Sequence, residues 1–365
     1  MTGTQPPIRM AVVGLHFGAK FFGIYQRHPL SQVYALCQRT EPALTDIGDY
    51  VGVPRRYRHF DDLLADPDVE AVHLNTPFEL HTDQAVAALE AGKHVLCAPP
   101  AALTLADCER LVQAQRRSGR VYMLAETDLF TDPALRLRDL YRRGRLGSPR
   151  LLNGFHLQDM TGWPDYWYGF PPLMYSSHAL APILDIGDWS VASIAGFGVG
   201  KPVAGPDGDS YTAELAVCRL AGESATLQLT VDLLGSAGPF RKGFDADFTE
   251  YGFEWRRGNA AADTCYSGGE QVDAAVPRTA DTLPPELSEY PLHRVYGCDR
   301  QHFATKTKRA GTHAVMVDEF LRAIREGRPS RADAVRAAHW TAVGIVGHAS
   351  AVGGAGEPLP VPVFE

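Results

Sequence analysis

An apolar run, Ile8 to Val13, ends abruptly at Gly14, and a helix-forming segment resumes within a few residues. That order constrains what the chain can fold into more than any other feature it carries. A short run of this kind reads as a parallel strand buried on both faces. The segment Ala19 to Arg27 reads as a helix that stops ahead of Pro29, because a proline pushes the residue before it out of the α region. A strand, a glycine turn and a helix gather free backbone N–H groups at a helix N-terminus, which is where a pyrophosphate sits. The dinucleotide-binding fingerprint wants glycine at three places, which here fall on Gly14, His16 and Ala19, with Gly18 next door. Only the first is glycine. The turn is recognisable and altered.

The same alternation continues. Val33 to Cys37, Val72 to Leu74, Val95 to Cys97 and Val121 to Leu124 read as strands. Gln84 to Ala91 reads as a helix stopped by Gly92, and Thr104 with Asp107 has the spacing of a capping box that opens another helix, burying Cys108, Leu111 and Val112. Strands alternating with helices imply an α/β Rossmann domain, a doubly wound parallel sheet, over residues 1–125. A helix from Asp132 to Arg143 follows, with Pro133 in its first turn and a solvated face carrying Arg136, Arg138, Arg142 and Arg143.

From Leu151 the character changes. β-rich segments recur at Leu151–Leu157, Val191–Val199, Tyr211–Leu220, Ala225–Leu234 and Phe248–Trp255, so residues 126–365 are expected to form an α+β domain with a large, mostly antiparallel open sheet. Residues 257 to 310 read as long loops. Two closing helices, about Ala314–Arg325 and Ala332–Ala351, are split by Gly327-Arg328-Pro329 and expected to pack back on the first domain, and Leu359 to Val363 reads as an extended edge segment.

A net charge of -8 over 365 residues argues against nucleic-acid or anionic-membrane partners, both of which want basic surfaces. No apolar run reaches the roughly 18 residues of a membrane span, and the N-terminus lacks a signal-peptide core, so a cytoplasmic protein is expected. Six scattered cysteines without metal-ligand spacing read as thiols in a reducing compartment, and no metal site is expected.

Further motifs support a family resemblance. Asn75-Thr76-Pro77 with Leu80-His81, Glu90-Ala91-Gly92-Lys93-His94-Val95-Leu96-Cys97, Glu319-Phe320-Leu321 and Glu326-Gly327-Arg328-Pro329 follow the Gly14 turn in an order that resembles the Gfo/Idh/MocA oxidoreductases over nearly the whole chain. Tyr175-Ser176-Ser177-His178 and Glu126-Thr127 are similar to the branch of NAD-dependent glycosidases, which use their cofactor transiently. The resemblance implies a lysine where this chain has Pro99, in Ala98-Pro99-Pro100, and aspartates where it has Met174 and Ala181. Proline has no titratable group, so this member is divergent at its redox positions.

His178 is the remaining candidate acid/base, since an imidazole titrates near neutral pH and accepts an alcohol proton as hydride leaves carbon. Tyr175 would polarise the same oxygen, and Glu126 leaves the carboxyl end of the last Rossmann strand, where doubly wound folds gather their sites. Alternation in Phe155-His156-Leu157-Gln158-Asp159 puts His156 and Gln158 on one sheet face, making His156 a further catalytic candidate. Asp159, the aromatic run with Trp163, Tyr166 and Trp167, and His313 are candidates for gripping a sugar or cyclitol.

For NAD or NADP the candidates are Gly14, His16, Phe17, Gly18, Ala19, Gln38, Arg39, Thr76, Pro77, His81 and Ala98. Gln38 stands where a ribose-binding acid is expected, so a 2′-phosphate is not repelled and Arg39 is placed to pair with it. Three readings stay open. One is an NAD(P)-dependent oxidoreductase on a sugar, cyclitol or related polyol; another is a redox-neutral glycosidase, epimerase or lyase using bound NAD(P). The last is a cofactor-free enzyme or binding protein on the same scaffold. A homodimer or homotetramer is expected from the resemblance.

Overall fold

A computed structural model describes residues 6–205, 208–234, 238–256, 263–272, 283, 284, 287, 310–353 and 356–365. The chain divides into two compact units. The first comprises the chain to Ala102, Ala106–Thr127 and the described residues between 278 and 338; the second comprises Leu103–Leu105, the chain from Asp128 to Pro277, and His339–Glu365.

The first unit is built on β1 (Ile8–Val13), β2 (Ser31–Cys37), β3 (Arg55–Tyr57), β4 (Ala71–Leu74), β5 (His94–Cys97) and β6 (Tyr122–Leu124). All pairs are parallel, in the order β3-β2-β1-β4-β5-β6. That is the doubly wound order, as the alternation of strands and helices predicts. Met10, Val12, Leu36, Val72, Leu74 and Leu96 are fully buried, each stabilising the fold by about 1.5–3 kcal/mol. The strand order reverses between β1 and β4, so the ends carrying Gly14 and Asn75 lie side by side, tied by the Asn75 N–H donating to the Val13 carbonyl at 2.8 Å.

The expected single helix over Ala19–Arg27 is instead two pieces, a 3-10 turn Ala19–Phe21 and a helix Phe22–Arg27, preceded by an α-turn Leu15–Gly18. Phe21 and Phe22 are both buried, and the tighter middle turn accommodates two adjacent rings facing inward. β3 is short and only partly buried, which is why apolar periodicity does not reveal it.

The second unit carries a nine-stranded sheet. Its strands include β7 (Pro149–Leu157), β8 (Val191–Val199), β11 (Ala213–Leu220), β12 (Thr226–Asp232), β13 (Arg241–Phe248), β14 (Gly252–Glu254), β15 (Thr264–Ser267), β16 (Glu270–Val272) and β17 (Leu359–Pro360); β9 (Val203–Gly205) and β10 (Gly208–Ser210) form a separate hairpin. The order is β16-β15-β14-β13-β7-β12-β11-β8-β17, with β7 and β12 parallel and every other pair antiparallel. The open, mostly antiparallel sheet is thus as expected, including its edge segment at Leu359.

Two local expectations need correcting. The segment Phe248–Trp255 is not one strand, because β13 ends at Phe248 and the chain turns before β14. The polar stretch from 257 is not all loop, because β15 and β16 form a hairpin around Gly268-Gly269, both at positive φ. Most of the rest of that stretch, to residue 309, lies outside the described residues.

The helix Ser177–Gly187 covers β7 closely. A side chain at Gly154 would run into the Ala179 carbonyl, so the missing Cβ permits the approach. The helix Asp132–Arg142 is tied to it by Arg138, 3.5 Å from the buried Asp185 carboxylate and 3.3 Å from Asp188. Part of the arginine face is therefore an ion-pair seam between helices.

Candidate active site

In the first unit, Gly14 adopts φ +81°, and a Cβ there would collide with the Asn75 carbonyl. Glycine is required by both conformation and space. The close contact of helix on strand falls on Gly18, where a Cβ would sit 2.6 Å from Val12 Cγ1, while Ala19 is buried beside it. The His16 side chain is exposed, and Phe17 is 43% exposed with the Lys20 ammonium 3.7 Å from its ring centroid.

Gln38, at the end of β2, reaches into this turn. Its Oε1 accepts the Leu15 N–H at 3.0 Å, and its Nε2 donates to the Thr40 hydroxyl at 3.0 Å. Arg39 beside it is exposed. After β4, the Thr76 hydroxyl donates to Gln84 at 2.7 Å and Pro77 leads into the turn Phe78–Leu80.

His81 is buried between two carbonyls, Pro100 at 2.8 Å and Thr76 at 2.9 Å. It links the loops that follow β4 and β5. Burial lowers its pKa, against the two carbonyls, which raise it. Ala98 follows β5 with its N–H on the Leu74 carbonyl at 3.0 Å. Glu126 is fully buried just after β6. His313 packs edge-on against Phe21, with ring centroids 5.2 Å apart.

These residues form a backbone cradle at the reversal of strand order, where such folds bind a dinucleotide. The glycine turn and the close Gly18 contact fit the backbone of a pyrophosphate-binding turn, whose Leu15 N–H is taken here by Gln38 Oε1. The ribose-side position holds an amide in place of an acid.

In the second unit, a tight group of side chains surrounds His178, in the first turn of its helix. Its Nδ1 lies 3.2 Å from Asp128 Oδ2. That is an ion-pair distance, and a carboxylate there favours the protonated imidazole. Lys242, from β13, forms an ion pair with the same Asp128 oxygen. All three residues are buried.

His156, on β7, is 1% exposed and lies opposite Lys242 in the strand register. Its ring stacks on His178 at 5.2 Å and 25°, and its Nε2 pairs with Gln158 Oε1 at 3.0 Å. Burial first, and then the neighbouring His178 and Lys242, hold the His156 imidazole well below the usual histidine value. Neutral His156 therefore donates through Nε2 to Gln158 and keeps Nδ1 as an acceptor.

Tyr175 stands edge-on to both imidazoles, 4.8 Å from His178 and 5.3 Å from His156. Behind it Trp167 packs at 4.9 Å, and Trp163 meets Trp167 at 5.8 Å, edge to face. Tyr166 is half-buried against Trp167, whereas Trp163 is 40% exposed. Asp159 is exposed and closes a turn, its Oδ1 accepting the Thr161 N–H at 3.0 Å.

The structure thus brings together His178, His156, Tyr175 and Trp167 from the sequence-derived set. Glu126 and His313 belong to the first unit. Sequence reading misses Asp128 and Lys242. Lys242 had a signal, because it alternates with Phe244, Ala246 and Phe248 and so falls on their buried face. Asp128 lies two residues beyond Glu126, in the loop that leaves the last Rossmann strand.

Comparison with known proteins gives the same picture of the first unit. Residues 8–126 match the model of an oxidoreductase family with an NAD-binding Rossmann fold. A 1,5-anhydro-D-fructose reductase of Ensifer adhaerens is 41% identical over 117 residues, 31% of this chain and 35% of that protein. An inositol 2-dehydrogenase of Salmonella paratyphi B is 33% identical over 140 residues, 37% of this chain and 40% of its own. The chain therefore spans well under half the length of the curated relatives it matches. A levoglucosan dehydrogenase solved with NADH and levoglucosan superposes with a TM-score of 0.74 at 17% identity, covering 98% of this chain and 100% of that one; this likeness shows a shared fold. Residues 8–126 are thus similar to the NAD-binding Rossmann domain of the Gfo/Idh/MocA oxidoreductases.

Proposed function

We propose that the protein is an NAD(P)-dependent oxidoreductase acting on a hydroxyl or carbonyl of a sugar, cyclitol or related polyol. The observation that carries this reading is the His178–Asp128 couple, a buried imidazole whose Nδ1 lies 3.2 Å from a carboxylate oxygen. The relatives support the substrate class, being a reductase of anhydrofructose and a dehydrogenase of inositol.

A nicotinamide dinucleotide, when bound, supplies hydride acceptance or donation. The turn that opens at Gly14 would hold its pyrophosphate, with Gln38 and Arg39 on the ribose side and Thr76, Pro77 and Ala98 at the ends of β4 and β5. In the oxidative direction His178 Nε2 takes the alcohol proton, and the Asp128 carboxylate stabilises the imidazolium that forms. Tyr175 orients the reacting oxygen, and Trp167 with Trp163 offers flat apolar surface to the C–H face of a ring. Asp159 and Tyr166 extend that wall.

The test is turnover with a panel of cyclitols and aldoses, followed by nicotinamide absorbance with either dinucleotide. Oxidation of at least one polyol in the wild type and its loss in His178→Asn is the expected result; an unchanged His178→Asn enzyme overturns it.

A second reading, a cofactor-free enzyme or binding protein on the same scaffold, takes support from Gln38, whose side chain occupies the Leu15 N–H in the cradle. Analysis of small molecules released from denatured protein separates the two, since only the first reading puts a nicotinamide dinucleotide among them or binds one when it is added.

A further inference from the structure

We propose that Lys242 is a positioning residue for His178: its ammonium fixes the Asp128 carboxylate against His178 Nδ1 and balances its charge, so that Nε2 acts as a base near neutral pH. The inference rests on the acid/base reading of His178 given above. Its observations are independent of any bound molecule.

Lys242 and His178 share one oxygen, Asp128 Oδ2, and reach it from different elements, β13 and the first turn of a helix. The Lys242 side chain is 5% exposed and that of Asp128 12%, so solvent screens the pair weakly. A buried ammonium is strongly disfavoured without a partner, and its place in the apolar register of Phe244, Ala246 and Phe248 is costly for a side chain that merely fills space.

The groups facing His178 set the sign of the effect. Asp128 favours the imidazolium, while Lys242 opposes it. His156, stacked on the ring, is neutral, and Tyr175 meets the ring by its edge. Glu126, buried two residues before Asp128 along the chain, adds a carboxylate to that stretch. With Lys242 present, its ammonium offsets the Asp128 charge that acts on His178. Without it, the full carboxylate charge acts on His178, and the imidazolium persists to higher pH.

The experiment is an NMR titration of the His178 imidazole in the full chain, without substrate, paired with the pH dependence of kcat/KM for polyol oxidation. Lys242→Met is expected to move the His178 titration and the acid limb of the rate profile upward by about one pH unit. Lys242→Arg, which keeps the charge, restores both. Asp128→Asn moves the titration downward, because the ammonium then acts alone.

Should the Met variant fail to fold, Lys242→Gln keeps a donor for Asp128 without the charge and gives the same upward shift. A His178 titration that is unchanged or lowered in the neutral variants overturns the proposal. The substrate-free titration judges Lys242 alone, whereas a wild type that binds no dinucleotide refutes the dehydrogenase reading and leaves this result standing.

Discussion

Glu214 offers a prediction that tests how the site is held. This carboxylate is fully buried on β11, accepts the Leu173 N–H at 2.8 Å and pairs with His348 Nδ1 at 2.7 Å. Leu173 lies in the turn Pro172–Tyr175, two residues before Tyr175 and five before His178. Replacing Glu214 with Ala leaves a buried amide donor and a half-buried imidazole without their acceptor and opens a cavity. Those losses together cost about 3–5 kcal/mol. At roughly 2–4 °C per kcal/mol for a unit of this size, Tm of the second unit falls by about 6–20 °C. Because the turn sets both Tyr175 and the start of the His178 helix, kcat/KM measured below the transition falls by about 10-fold or more, as small misplacements of reacting groups do. Glu214→Gln keeps an acceptor for Leu173 and loses about 1–2 kcal/mol. The assay is differential scanning calorimetry with steady-state kinetics on the same samples. An Ala variant that melts within about 2 °C of wild type and keeps its activity would show that Glu214 does not hold this turn.

Other predictions are more local. Gly14→Ala forces a side chain at φ +81° into the Asn75 carbonyl, costing roughly 2–4 kcal/mol and weakening dinucleotide binding; Gly52→Ala, at φ +70° with open space around it, costs only the backbone term of about 1–2 kcal/mol. Denaturant melts of the two variants, with fluorescence titration of NADH, check both statements. His178→Asn should lower kcat/KM by roughly 10²–10⁴-fold while leaving dinucleotide affinity unchanged, read by the same titration and initial rates.

The first unit was legible in the sequence because local signals coincide there. β-rich runs, glycine stops and a helix-capping pair each fix an element without help from distant residues. The helices Glu41–Val51 and Phe60–Ala65 went unread, as did β3, three half-polar residues at a sheet edge, and the 3-10 break at Ala19–Phe21, neither of which has a period to read.

The second unit was legible as a sheet and less so as a site. His178, Tyr175, His156 and Trp167 are found by motif or alternation, and the structure places them in one cluster. Asp128 and Lys242 escaped because their meaning is non-local: 114 residues separate them, and only the pairing of β13 with β7 brings Lys242 opposite His156. The resemblance implies a lysine and an aspartate that are proline and methionine here, at Pro99 and Met174. The structure supplies a lysine and an aspartate to His178 from other parts of the chain.

The proposed activity requires that this chain bind a nicotinamide dinucleotide at the Gly14 turn. Titrating purified protein with NADH and NADPH by isothermal calorimetry, up to about 1 mM, the top of the usual KM range, tests it most directly. Saturable one-to-one binding of at least one of the two, weakened in Gly14→Ala and intact in His178→Asn, is the expected result. No saturable binding of either would contradict it.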